Sequence, residues 1–271
     1  MVQNTEGLEA VGAGIVDAMH IAPVYFAGRD PAFALLGDLN AAYEDPYQMQ
    51  IWYHYRGGLE MARELYAKNG VYFVGPGWWG VESMPFKMPV RTIADLKGKK
   101  IRFPEGPSGE IFKKLGSAPV AMPGPDVFPA LERGVIDGTD YGTLGMNDGL
   151  GFHKIAKFPL YPGFHSMPVV DISVNMKKWN ALPADLKELL TIAVRDFARD
   201  QIQRVVVEDI KVRQKVTAEG IELINWSAED RRKIREIGKE VWEKYSKGSA
   251  MARRVYDSQV KWLEDLGLLS K

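Results

Sequence analysis

The chain has 271 residues, 46% hydrophobic and 26% charged, enough apolar mass for one large domain or two medium ones and a balance that excludes intrinsic disorder. Lys+Arg and Asp+Glu are both 35, so a net charge of zero gives no basic footprint for nucleic acid or an anionic membrane surface. Cysteine is absent, which excludes disulfides, thiolate catalysis and Cys-ligated zinc, and no stretch approaches the ~18 consecutive apolar residues of a membrane span.

The opening, Met1 to Ala10, carries Glu6 and Glu9 and lacks the basic start and apolar core of a secretory signal. Gly7 to Asp17 reads as a short helix ending in glycines, and Ala18 to Val24 as a buried strand. From Pro46 to Lys68 one long helical pattern runs through Trp52, Leu59, Ala62 and Leu65, stopped by Asn69-Gly70. Val71 to Val74 is the next predicted strand, followed by a Gly/Pro/Trp loop from Gly75 to Gly80.

The middle alternates short strands and helices. Thr92 is placed to cap a short helix through Leu96, followed by a strand over Lys100–Phe103 and a helix over Ser108–Leu115. Ala118 to Met122 is a strand, Pro125 to Gly134 a proline-initiated helix, and Thr139 to Tyr141 a short extended piece. This alternation predicts βαβ units and a mostly parallel sheet. Phe158 to Val174 reads as two strands, Pro183 to Glu219 as a very long amphipathic helix, and Ile221 to Trp226 as a last strand. Two charged helices close the chain, Ser227 to Tyr245, where Ser227-Ala228-Glu229-Asp230 fits a capping box, and Ala250 to Leu266. There is no internal repeat, low-complexity tract or Pro/Gly linker, so two lobes joined by several chain crossings fit better than independent domains.

The segment Val90-Arg91-Thr92-Ile93-Ala94-Asp95-Leu96-Lys97-Gly98-Lys99-Lys100-Ile101-Arg102 resembles the signature R-T-x-x-D-L-K-G-x-K-I-R of the substrate-binding proteins of TRAP (tripartite ATP-independent periplasmic) transporters, the DctP-like family. Leu115-Gly116-Ser117-Ala118-Pro119-Val120 follows, then Ala130-Leu131-Glu132-Arg133-Gly134-Val135-Ile136-Asp137-Gly138, similar to the family's A-L-Q-x-G-V-V-D-G, then Asn175-Met176-Lys177-Lys178-Trp179 and Leu182-Pro183. The ordered set spans about Gly7 to Leu266. It implies an α/β, two-lobed periplasmic-binding-protein-like fold (type II, Venus flytrap) with long C-terminal helices: residues 1–103 mostly in lobe 1, 104–180 mostly in lobe 2, and 181–271 packing on both.

Within the family the chain is similar to members that bind 2-oxoacids and lactate. The resemblance implies that Arg102, on the strand after D-L-K-G, pairs with a ligand carboxylate. A planar guanidinium does this bidentately and lysine cannot, although an arginine at a strand end is otherwise an ordinary surface residue. It further implies that the acid–aromatic pair Asp140-Tyr141 supplies oxygens to a bound Na⁺ or Ca²⁺. The glutamine that such relatives carry before R-T-x-x-D-L is missing, and Glu82 is the nearest substitute. Trp78 and Trp79 sit among glycines, where at least one indole is expected to wall the cleft and favour an aryl or branched oxoacid. Tyr25 and Asn147 match cleft-facing positions in relatives, and Phe164-His165-Ser166 falls in the loop returning to the other lobe.

The expected activity is therefore that of a non-enzymatic extracytoplasmic receptor in the periplasm, passing a small organic carboxylate to TRAP membrane subunits, with a homodimer through the long helix as a further expectation. The rivals are an ABC-type solute-binding protein and an α/β enzyme using Asp140, His165 and Glu82. His20, His54, His153 and His165 form no zinc-type pair, and there is no Gly-x-Ser-x-Gly elbow, Walker loop or dinucleotide fingerprint. The resemblance also implies a signal peptide and a strand–helix–strand unit of roughly fifty residues ahead of Gly7, so residues 1–271 alone are expected to expose an unpaired sheet edge and to be poorly stable.

Overall fold

A computed structural model describes residues 2–163 and 165–270. Helix α1 (Gly7–Ala13) leads into strand β1 (Ala18–Ile21), then α2 (Ala32–Gly37), α3 (Pro46–Tyr55), α4 (Gly58–Ala67) and β2 (Val71–Trp78). The middle of the chain gives β3 (Met84–Phe86), β4 (Lys100–Phe103), α5 (Pro107–Lys114), β5 (Ala118–Ala121), α6 (Val127–Glu132), β6 (Gly138–Thr139), α7 (Leu144–Gly149) and β7 (Phe158–Leu160). Strand β8 (Val169–Asn175) precedes α8 (Met176–Ala181), α9 (Ala184–Ala218), α10 (Ala228–Ser246) and α11 (Ala250–Asp265).

The strands form two sheets, β1-β8-β2 and β5-β4-β6-β3-β7. The first is antiparallel throughout, with Ile21 opposite Asp171 and Trp78 opposite Val169. In the second, only β4 with β5 and with β6 is parallel, while β3 pairs antiparallel with β6 and β7. The expected mostly parallel sheet is thus confined to three strands. The chain passes from the first sheet to the second between Trp78 and Met84, and returns between Leu160 and Val169.

Three sequence expectations are corrected. The helix expected over 46–68 breaks at Arg56–Gly57: Gly57 takes φ +89°, and a side chain on Gly58 would stand 2.6 Å from the Trp52 ring that folds over it. The glycine-rich stretch after Val74 is strand rather than loop, because its glycines admit α9. A Cβ on Gly75 would lie 2.9 Å from Val194 Cγ1, and one on Gly77 3.2 Å from Gln201 Oε1. Ile221 to Trp226 is no strand; it meets the second sheet at one bridge, Ile224 with Leu160, and Trp226 Nε1 donates to Val90 O at 2.9 Å.

One apolar core runs under both sheets, joining Phe33, Trp52 and Phe73 to Phe86, Phe103 and Trp242. Helix α2 is buried along its whole length, an apolar run without helical periodicity. Helix α9 is a strap: Val194 packs with Val74 near the first sheet, and Val212 and Val216 pack with Leu144 of α7. Between them Val205 closes on Gly80, where an added Cβ would lie 2.6 Å from Val205 Cγ1, and Asp209 Oδ1 accepts the Gly145 N–H at 2.8 Å. Among the described residues no helix is long and apolar enough to cross a membrane.

Candidate functional site

Strand β4 delivers Arg102 to the floor of a cavity of about 450 Å³ between the sheets. Only 6% of Arg102 is exposed. Its Nε donates to Met122 O at 3.1 Å, its Nη1 to Asp140 O at 2.6 Å, and its guanidinium lies 5.5 Å from the Tyr141 ring centroid. Two main-chain acceptors and a cation–π contact fix the group, and Nη2 makes no hydrogen bond among the described residues, so that edge is available to an anion. Parallel pairing of β4 with β6 puts Asp140 beside it: Thr139 is in register with Arg102, and the Asp140 N–H donates to Arg102 O at 2.9 Å.

Asp140, Glu82 and His165 form a buried cluster in which one ligand-capable atom from each lies within 4.8 Å of the others. His165 Nε2 sits 3.1 Å from Asp140 Oδ1. Burial alone would raise the Asp140 carboxyl, but the hydrogen bond and charge of His165, a hydrogen bond with Glu82 and the Arg102 guanidinium outweigh it, and Asp140 is held below its ordinary value. Burial, reinforced by the Asp140 charge, pushes the Glu82 carboxyl well above the ordinary carboxylate range. This donor set of two desolvated carboxylates beside a cavity, one oriented by an imidazole, fits a hard cation such as Na⁺ or Ca²⁺.

Tyr25 and Trp79, 38% and 37% exposed, line the cavity, while Trp78 is core. Tyr141 lines it too, beneath the guanidinium. Two expected residues stand elsewhere. Asn147 is fully buried behind the cavity, its Nδ2 donating to Ser83 O and Gly142 O, so it braces the crossing and the Asp140–Thr143 turn. His165 does not line the cavity but backs Asp140. Phe164 lies outside the described residues.

Sequence reasoning missed Asp38 and Asn40, and named Ser166 only as part of the returning loop. Asp38 Oδ2 accepts from Ser166 Oγ at 2.5 Å and from Asn40 Nδ2 at 2.6 Å, and burial raises its carboxyl to about 7. The Glu82 N–H donates to Ser166 O, and the Ala41 N–H to His165 O. These bonds link the loop after α2, both inter-sheet crossings and the end of β6. The one local signal was the polar Asp38–Asn40 interruption after an all-apolar run.

The family model for bacterial extracellular solute-binding protein family 7 (DctP) matches residues 1–248. The chain is 28% identical over 263 residues, 95% of this chain and 71% of the relative, to a monocarboxylate 2-oxoacid-binding periplasmic protein of Nostoc sp.. A crystal structure of a TRAP periplasmic solute binding protein from Rhodobacter sphaeroides, in an apo open state, is 39% identical with a TM-score of 0.85, covering 100% of this chain and 86% of that one. A TRAP transporter solute binding protein from Bordetella bronchiseptica, a mixed-occupancy dimer with copurified calcium and picolinate, is 26% identical with a TM-score of 0.86, covering 97% of this chain and 78% of that one. The buried guanidinium between two sheets, the fold and these matches converge: the chain belongs to the DctP family of TRAP-transporter solute-binding proteins, a family of receptors rather than enzymes.

Proposed function

We propose that this chain binds a 2-oxoacid or 2-hydroxyacid, with an aromatic or branched tail favoured, between its two lobes, and presents it in the periplasm to TRAP membrane subunits. The observation that carries this reading is Arg102, buried at the cavity floor with one guanidinium edge available beside two carboxylates. The ligand carboxylate takes that edge. Asp140 and Glu82, with a main-chain oxygen at Tyr141, hold Na⁺ or Ca²⁺, which supplies positive charge to the ligand's 2-oxygen; His165 keeps Asp140 ionised and oriented. Tyr25 and Trp79 wall the tail. The relatives that bind 2-oxoacids, and calcium with picolinate, support the same ligand chemistry here.

The lobes follow the sheets. In this reading one lobe is built on β1, β2 and β8 and the other on β3 to β7, with α9 packed against elements of both. Ligand closes the lobes by binding the closed state more tightly than the open one. A homodimer through α9 is supported by its exposed apolar side chains, Leu189, Ile192, Val206 and Val207, each more than half exposed.

Titration calorimetry of pyruvate, 2-oxovalerate, phenylpyruvate and lactate, with Ca²⁺, with Na⁺ and after chelation, tests the reading. The expected result is micromolar or tighter binding of at least one acid that weakens tenfold or more when cations are removed. Binding only of uncharged sugars would overturn it.

A further inference from the structure

Resting on the reading above, we propose that Glu105 is a specificity-determining residue: its carboxylate excludes ligands with a second negative charge, restricting the receptor to monocarboxylates with uncharged or cationic tails. Among the described residues lining the cavity, Arg102 is the one lysine or arginine, against four carboxylates, Asp38, Glu82, Glu105 and Asp140. Three of the four already have partners. Glu82 and Asp140 lie together with His165 in the buried cluster, and Asp38 is bonded to Ser166 and Asn40. Arg102 in turn has a single edge to offer, since Nε and Nη1 are engaged by main-chain carbonyls. A second ligand carboxylate therefore finds no second lysine or arginine among the described residues lining the cleft.

Glu105 is the carboxylate left over. It is exposed, lines the cavity, and makes no hydrogen bond or ion pair among the described residues, although its charge is felt by Tyr245. It stands three residues beyond Arg102 on the loop leaving β4, and that loop meets the opposite lobe: Gly106 takes φ +145°, and a Cβ there would lie 3.3 Å from Val24 Cγ2. Val24, Tyr25 and Trp79, which line the same cavity, are apolar or aromatic, and His20, the other lining residue able to carry positive charge, has its Nδ1 2.9 Å from Asp171 O. A ligand anchored at Arg102 and long enough to fill a cavity of about 450 Å³ extends its tail toward this mouth. On closure the space around Glu105 loses water, and like-charge repulsion there rises accordingly.

A matched pair of five-carbon 2-oxoacids isolates the effect: 2-oxovalerate, and 2-oxoglutarate, which differs by a terminal carboxylate. Calorimetry on the whole chain in Ca²⁺ is expected to give a preference for 2-oxovalerate of at least tenfold. Glu105→Gln should shrink that ratio roughly tenfold and Glu105→Arg further, possessing the counter-charge the native cleft lacks. In the native protein the ratio should also narrow between 0.05 and 0.5 M salt, figures chosen to bracket a Debye length of about 10 Å. Equal affinity of the native chain for both acids, or a ratio unmoved in both variants, overturns the inference while leaving the carboxylate-receptor reading intact. Failure to bind either acid overturns the inference, and failure of pyruvate, phenylpyruvate and lactate as well sinks the reading beneath it.

Discussion

Two buried aspartates, one in each sheet, show how the same residue type becomes either a binding group or a structural one. Asp140 directly follows β6 and faces His165 and Arg102, and the hydrogen bond to His165 and the Arg102 guanidinium hold its carboxyl below the ordinary value against burial. Asp171 lies in the middle of β8 with no exposed surface; Oδ1 accepts from the Ile21 N–H at 3.0 Å and Oδ2 from Ser173 Oγ at 2.8 Å. Neutral donors compensate burial only partly, and the Asp171 carboxyl is raised to about 7. Burial is common to both. What separates them is a guanidinium and an imidazole, and it is next to the cations that the cavity opens.

The largest expected effect that tests this contrast is at Arg102. Arg102→Ala removes the ligand's counter-charge and leaves Asp140 without one of its two cationic neighbours, so affinity for any 2-oxoacid bound by the native chain should fall by a hundredfold or more, about 3 kcal/mol. Calorimetry at 0.1 mM ligand reads this directly, and retained affinity would detach Arg102 from the ligand.

Asp171→Asn comes next. The folded-state value of about 7 lies above the ordinary aspartate value of 3.8, so the stability contributed by protonated Asp171 is full below pH ~4 and is lost as pH rises through about 7. The asparagine variant should therefore be more stable than the native chain by about 2–4 kcal/mol at pH 8, with the advantage disappearing near pH 4. Urea titrations at four pH values measure the difference, in which contributions of the other buried acids cancel. An advantage independent of pH would show that Asp171 is ionised throughout.

The smallest effect is at His165. His165→Gln keeps the side-chain volume but withdraws the imidazole that lowers Asp140, and cation affinity is expected to drop roughly tenfold, with release shifted to higher pH. An unchanged cation affinity would leave Asp140 to Arg102 alone.

The residues of the site were legible to different depths. Arg102 and Asp140 sit at fixed offsets in ordered motifs, and register between parallel strands carries such offsets into space. Tyr25, Trp79 and Glu82 flank strand ends, where side chains reach a cleft whatever the details of the fold. Asp38 was invisible because its meaning depends on Ser166, 128 residues away, and its loop follows a six-residue helix with no periodicity to read. His165 and Asn147 were assigned to the cleft by their position in the chain, yet each turns inward to serve a neighbour: one an aspartate, the other two carbonyls. The strand through Gly75 to Trp78 was misread for a similar reason. Its glycines answer to Val194 and Gln201 of a helix more than a hundred residues later, and local propensity carries no record of that contact.

The long helix α9 sets a limit on how the lobes can move. A rod of 35 residues is about 52 Å long and bends little. Clamped to one sheet through Val194 and to the other lobe through Asp209 and Val212, it resists any sliding or splaying that would stretch it. The remaining freedom is a swing whose pivot runs close to Val205 and Gly80, where the rod, the outgoing crossing and the polar bonds of Ser166 all come together. Opening about such a pivot is expected to change the depth at which Arg102 sits far less than the width of the cleft further from the rod.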